Sequence, residues 1–448
     1  MLNLHPSAKE NFDRKAEALQ SLLRETPKKP PTSSSFLAFP NEIHIKKLKD
    51  FSIINTATVD NRGKTIGRHF EHNGAEVSLV DHDYTKLVFL AESIQCLPQI
   101  RDKLSQQFIE EAIFTWLEKK YKKEHKGVLF TDSLEALAAE QVQPITTYVP
   151  ITKTIVEIPL EFCGVTIENI SKENIDKLFP PLDLVDAKQK DFILKYSKDL
   201  QEEYRGYAAV KIDLECEPKY AAKISTEKAK RVADLLGIYS DATFTPDIQS
   251  FSRIKGDKSA ATSSTIFLFS EKNSQISGYN LSQPMNILWQ ISKSDIERFK
   301  KWGLDIHSEI ETKENPSELE KTVSTFGRLY SKVALTPDPI EKLIYALSAI
   351  ESTLLKNDTE SIQQNLAERM AFLLETELNK RKNVIKNVKN VYQIRSRYLH
   401  HGLPSDDISQ LSYFLINVLN LFFNLLSLTK KFQTKKELLD AIEDHKLS

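Results

Sequence analysis

The stretch Leu411–Leu428, LSYFLINVLNLFFNLLSL, carries no charge over 18 residues. Whether it spans a membrane or fills a core decides how the chain is built. Its length sits at about the lower limit of 17–25 residues for a spanning helix. Polar side chains nevertheless recur along it: Gln410, Tyr413, Asn417, Asn420, Asn424 and Ser427 are spaced alternately by three and four. At about 100° per residue this spacing collects them on one stripe. A lipid-facing helix has little use for such a stripe, so the stretch reads as a bundle helix buried over most of its circumference.

Working upstream, the chain keeps a helical period back to about Ile310. Pro316-Ser-Glu-Leu-Glu starts one helix, and Pro337-Asp-Pro339 breaks the chain before a second, IEKLIYALSAIESTLLKN. Ser361 begins a third, through LAERMAFLLETELNKRK, and a fourth covers Val384 to about Leu399. The turn His401-Gly-Leu-Pro-Ser-Asp-Asp407 then leads into the apolar helix. Five helices on short connections predict an all-α antiparallel bundle.

The preceding sequence is mixed. Ala8–Glu25 reads as a charged helical lead, and the Pro/Ser run near 27–35 as a linker. IHIKKL, FSIINTATV, EVSLVD and TKLVFLA have strand-like patterns, followed by one helix over Gln99–Lys123. From Pro144, TYVPITKTIVEIPLEFCGVTIENI alternates as strands, Ser171–Phe179 is a short capped helix, and YRGYAAVKIDLECEP is another strand. Ser225–Gly237 reads as a helix capped by Ser or Thr and stopped by a left-handed glycine. GDKSAATSST is a polar loop, with apolar IFLFS and PMNILWQIS after it. The expectation is an α+β chain in three parts. A mixed α/β or β-rich region, 1–143, precedes a second mixed, β-rich region, 144–309, and the helical bundle occupies 310–448.

With 61 Lys+Arg against 62 Asp+Glu, the net charge of −1 announces no nucleic-acid or membrane partner. Cys96, Cys163 and Cys216 form no CxxC, and no basic-then-apolar leader opens the chain, which fits a reducing cytoplasm. No GxxxxGK[ST], GxGxxG or GxSxG occurs. His69, His72, His82 and Asp83 match no metal-ligand spacing and read as surface polar residues. No cofactor or metal is expected.

Local charge is another matter. Leu378–Ser405 holds seven Lys/Arg and no Asp or Glu, in a chain with 62 acidic residues among 448. Such a window attracts phosphates or is a solvated basic face. At its end, Arg395-Ser-Arg-Tyr-Leu-His400-His401-Gly402 sets two guanidinium groups beside two imidazoles. Arginine forks a phosphate, and histidine exchanges protons near neutrality. Together they suit metal-independent RNA cleavage, in which a base takes the 2′-hydroxyl proton and a cation steadies the phosphorane. The alternative is that the imidazoles merely complement the helix dipole. Arg397 and His401 share a face, while Arg395 and His400 are about 140° apart on a helix. Either the helix unwinds before His400 or two copies assemble the site.

ALSAIESTLL (Ala346–Leu355), LAERMAFLL (Leu366–Leu374) and VYQIRSRYLHHG (Val391–Gly402) resemble, in register, three helical signatures of the HEPN superfamily, within it the Apea-like group. The likeness covers roughly Pro316–Lys430 and includes the superfamily's R-x4-6-H pattern. The resemblance implies a homodimeric, metal-independent endoribonuclease acting on RNA in a cytoplasmic toxin or anti-phage role, with a phage-derived trigger or regulatory partner and no membrane. It assigns His400 as general acid/base, Arg395 as phosphate clamp and Ser396 as orienting hydroxyl. His401 competes with His400, though Gly402 falls where the signature expects it if His400 acts. Arg397, His401, Lys386, Lys389 and Tyr392 are candidate phosphate or RNA contacts; Tyr392 also reads as packing. Glu351 and Arg369 match family helices and read as structural polar contacts. The runner-up is a non-catalytic RNA- or nucleotide-binding scaffold. A third reading is a toxin masked by a partner nucleotidyltransferase.

Overall fold

The structure is a computed structural model that describes residues 4–27, 57–59, 65–124, 127–179, 181–250, 252–254, 263–268, 275–280, 288–357, 360–401 and 408–447. These form two compact units: 1–145 with 213–223, and 146–212 with 224–448. The 144–309 and 310–448 segments expected from the sequence thus fall mainly into one unit.

The first unit combines α1 (Pro6–Gln20), β1 (Arg24–Pro27), β2 (Ala57–Val59), β3 (Thr65–His72), β4 (Ala75–Val80), α2 (Asp81–Gln95), α3 (Pro98–Arg101), α4 (Gln106–Tyr121) and α5 (Phe130–Gln141). The sheet runs β1-β4-β3-β2, all antiparallel. Its central hairpin turns on Asn73-Gly74, with φ of 49° and 79°, the left-handed pair that matches strand twist. Phe70, Val77 and Leu79 join a core with Leu87, Ile94, Ile113 and Trp116. Buried Asp13 accepts from Thr131 N and Oγ1, at 2.8 and 2.9 Å, tying α1 to the start of α5.

Three expectations fail here. The helical lead read over Ala8–Glu25 stops at Gln20, and Arg24–Pro27 pairs with β4 as a strand. TKLVFLA lies inside α2 rather than a strand: Tyr84, Leu87, Leu90, Ala91 and Ile94 are buried at helical spacing, so the longer period overrides the local β-formers. The single helix over 99–123 is broken, because Ser105 Oγ accepts from Phe108 N at 3.1 Å and caps a new helix, α4. The run IHIKKL, most of FSIINTATV and nearly all of the Pro/Ser run lie outside the described residues.

The second unit holds most of β5 (Gln143–Pro150), then β6 (Thr154–Val156), β7 (Leu160–Phe162), β8 (Val165–Asn169), α6 (Lys172–Asp176), α7 (Ala187–Tyr204), and parts of β9 (Ala208–Cys216) and α8 (Pro218–Leu236). The sheet order is β5-β9-β8-β7. A hairpin, β10 (Ser263–Leu268) with β11 (Gln275–Asn280), follows, and β12 (Trp289–Ile291) pairs in parallel with β6. Most of the run read as a polar loop lies outside the described residues, and its last three residues, Ser263–Thr265, belong to β10 and are not loop. Ser171 forms the expected capping box on α6. α8, by contrast, starts seven residues before the expected cap. Pro218 opens it, and the Glu217 carboxylate accepts from Lys219 N and Tyr220 N at 2.6 and 2.7 Å, leaving Ser225 mid-helix. Gly237 does not stop α8 in a left-handed conformation but enters a 3-10 turn.

The remainder is helical: α9 (Lys293–Lys301), α10 (Leu304–Thr312), α11 (Glu318–Leu335), α12 (Pro339–Leu354), α13 (Ile362–Leu374), α14 (Leu378–His401), α15 (Ile408–Leu428) and α16 (Lys435–Leu447). α11 to α15 are the five expected helices, α14 beginning six residues early. α16 was not expected; Thr434 Oγ1 accepts from Glu437 N at 3.1 Å to start it. α15 packs against α11, α12, α13 and α14, burying Phe414, Leu415, Val418, Phe422 and Leu425 completely. Ser409–Leu428 is long and apolar enough to cross a membrane, yet 56% of its 18-residue apolar window is buried within the protein. The chain is therefore α+β, with sheets toward the N-terminus and packed helices at the C-terminus.

Candidate active site

α12 and α14 place the residues of interest. α12 is started by Asp338, whose carboxylate accepts from Ile340 N and Glu341 N at 2.7 and 2.9 Å, with Pro339 in the first turn. Ala346, Leu347 and Ile350 face the core, which leaves Glu351 half-buried on the flank. α14 buries Val384, Val388, Val391 and Ile394. Asn387, on the same face, donates to Gln410 O at 2.9 Å and so fixes α14 against the start of α15.

This phasing brings Tyr392 and Arg395, one turn apart, onto Glu351. Tyr392 Oη donates to Glu351 Oε1 at 2.7 Å, and Arg395 Nη1 donates to the same oxygen at 3.2 Å. Burial, then the neighbouring carboxylate, pushes the Tyr392 phenol well above its ordinary range, so it stays protonated and donating. Arg395 Nε is buried and has no hydrogen-bond partner among the described residues. Of the candidates, Ser396, Arg397 and Lys386 are exposed and Lys389 is half-buried. Tyr392 is hydrogen-bonded inside the protein rather than offering a free ring.

α14 remains helical through His401. The option that it unwinds before His400 is therefore removed, and on one copy Arg395 and His400 diverge by about 140°. The side chains of His400 and His401 lie outside the described residues, as do Gly402 and Pro404.

Part of the basic window is occupied within the protein. Lys380 pairs with Glu377 at 2.8 Å, and the Arg381 guanidinium lies 3.9 Å from the Phe372 ring centre. Arg369 is nearly fully buried. It donates to Glu360 (2.8 and 2.9 Å), to Glu443 (3.0 Å) and to Leu354 O (2.6 Å), clamping α13 to α16 and to the end of α12. That is a structural role, whereas Glu351 touches the motif itself. Tyr392 and Arg395 are 41 and 44 residues from Glu351, so their meeting depends on the rotation of two helices.

Among the described residues no group of three His, Cys, Asp or Glu side chains gathers as a metal site. His72 Nε2 is hydrogen-bonded to Asn73 at 3.0 Å, and Asp83 pairs with Arg24 and Lys86 at 2.8 and 3.1 Å. Sequence reading also missed buried Lys342, whose ammonium donates to Ala242 O, Thr245 O and Ile248 O at 2.6, 3.0 and 2.5 Å. Nothing in the apolar run of α12 marks it except a lysine on the buried face. Compared with protein-family models, curated proteins and solved structures, the chain matches none.

Proposed function

We propose that this protein is a cytoplasmic, metal-independent endoribonuclease of HEPN type, working as a homodimer in a prokaryotic toxin or anti-phage system. The observation that carries the reading is Arg395, oriented by Glu351 and Tyr392 on a helix that continues unbroken to His400 and His401. A fixed guanidinium and an imidazole are the two groups this reaction needs. His400 takes the ribose 2′-hydroxyl proton, the oxygen attacks phosphorus in line, the bond to the 5′-oxygen breaks, and that oxygen takes up the proton returned by the imidazolium. The products are a 2′,3′-cyclic phosphate and a 5′-hydroxyl. Arg395 meets the charge on the non-bridging oxygens, and Ser396 orients the phosphate. Arg397, His401, Lys386 and Lys389 contact flanking phosphates, and a phage-derived trigger or regulatory partner switches the activity.

Because α14 stays helical, Arg395 of one copy is read as working with His400 of the other. Complementation tests this. Arg395→Ala and His400→Ala, each inactive alone, recover part of the activity when co-expressed, since one of two composite sites keeps both residues. A mixture as inactive as the single variants removes the composite site.

One observation favours the scaffold reading: Glu351 already occupies one arm of Arg395. In that case the same substitutions weaken RNA binding and flatten its salt dependence, with no cleavage to lose.

A further inference from the structure

The polar stripe of α15 takes no part in the site above. Asn417, Asn420, Asn424 and Ser427 instead line a cavity of about 370 Å³, a size suited to a small ligand. One wall is aromatic: Phe423 stacks on Trp302, with ring centres 5.3 Å apart and planes 19° apart, and on Tyr239 from its other neighbours at 5.9 Å and 23°. Asn424 Nδ2 donates to Leu373 O at 3.1 Å, which holds the stripe against the end of α13. Asn417 is only 7% exposed, and its Nδ2 has no hydrogen-bond partner among the described residues. A buried amide donor without a partner costs about 1–3 kcal/mol; turning the Asn417 amide about its terminal bond would bring it to the cavity, where a ligand acceptor recovers that cost.

Two opposite charges complete the lining, Lys301 at the end of α9 and Glu375 at the end of α13. Neither forms an ion pair among the described residues; Glu375 acts at longer range on Lys380, and its backbone carbonyl, not its carboxylate, accepts from Arg381 Nε at 2.7 Å. They share a cavity without neutralising one another. A ligand that bridges them needs both an anionic and a cationic group. Glu375, aided by the negative end of α13, suits an ammonium. Lys301 and the orphan Asn417 amide suit a carboxylate.

We propose that this cavity binds a free α-amino acid as its zwitterion. A neutral sugar leaves both charges unpaired, and a phosphate dianion meets one lysine opposed by a carboxylate. The remaining amides and Ser427 offer both donors and acceptors to the amino-acid side chain.

Calorimetry on the full chain, without RNA, tests the site independently of any nuclease activity. Each of the twenty amino acids is titrated singly. At least one binds saturably at one per chain. Its N-acetyl and carboxamide derivatives, each lacking one charge, bind at least about tenfold more weakly. Lys301→Ala and Glu375→Ala, at an exposed and a half-buried position, produce losses of the same order with an unchanged circular-dichroism spectrum. Asn417→Leu does the same and removes the buried amide. No heat with any amino acid at millimolar concentration overturns the proposal. So does equal binding of the charge-blocked derivatives, or a nucleoside or sugar that binds where amino acids do not.

Discussion

His307 offers a quantitative test of how the second unit is held together. Its imidazole is fully buried between the rings of Phe162 and Phe422, at centroid distances of 5.4 and 5.1 Å. Nδ1 lies 3.1 Å from Tyr239 Oη, while Nε2 faces the Gly327 backbone with no partner among the described residues. Burial pushes the group from 6.5 down to about 4, against the opposing pull of Glu311. The neutral form is thus the one that folds. Above pH 6.5 neither folded nor unfolded chain protonates this group, and its contribution is fully present. Between 6.5 and about 4 the unfolded chain takes a proton that the folded chain refuses, so stability falls with pH. A separation of about 2.5 units at 1.36 kcal/mol each corresponds to roughly 3 kcal/mol. Urea unfolding of wild type and His307→Gln at half-unit pH steps measures it. The variant is less stable throughout, but its loss between pH 6.5 and 4 is smaller than wild type's by roughly 3 kcal/mol. Parallel curves would refute the argument, since acid loss would then belong to the carboxylates alone.

Arg369→Ala strands the Glu360 and Glu443 carboxylates and a buried carbonyl, and it lowers stability by about 3–5 kcal/mol in urea titration. Glu217→Ala removes the acceptor for Lys219 N, Tyr220 N and, at 3.2 Å, Ser105 N. It destabilises the first unit by about 2–4 kcal/mol, measured by thermal unfolding, with faster amide exchange at the starts of α4 and α8. Tyr392→Phe deletes one donor to Glu351 but leaves the Arg395 pair, so stability drops by about 1 kcal/mol and cleavage by less than tenfold. A larger fall in activity than Arg395→Ala produces would mean that Tyr392 acts chemically.

Helices with long periodic faces and explicit caps were legible in the sequence. Ser317 and Glu320 form a capping box on α11, and Asp338-Pro339 starts α12 where the break was read. α2 reads as a strand in short view because Thr85, Val88 and Phe89 favour one locally; only the wider spacing from Tyr84 to Ile94 reveals the helix. The start of α8 is hard to read because the side chain that caps it, Glu217, lies before its proline. Of the candidate site, the Arg–His spacing and the basic window were visible as pattern. The convergence of Glu351, Tyr392 and Arg395 was not, since it needs the relative rotation of α12 and α14. The cavity joining Lys301, Glu375 and Asn417 likewise draws on three helices far apart in sequence.

The central claim is chemical, and the ends of cut RNA test it most directly. Purified full-length wild type, Arg395→Ala and His400→Ala are incubated with total RNA in EDTA, and the fragment termini are sequenced. The account predicts 2′,3′-cyclic phosphate and 5′-hydroxyl ends from wild type, and their loss from both variants with the fold retained. Intact RNA under conditions where wild type arrests growth, or cleavage that survives His400→Ala, would contradict it.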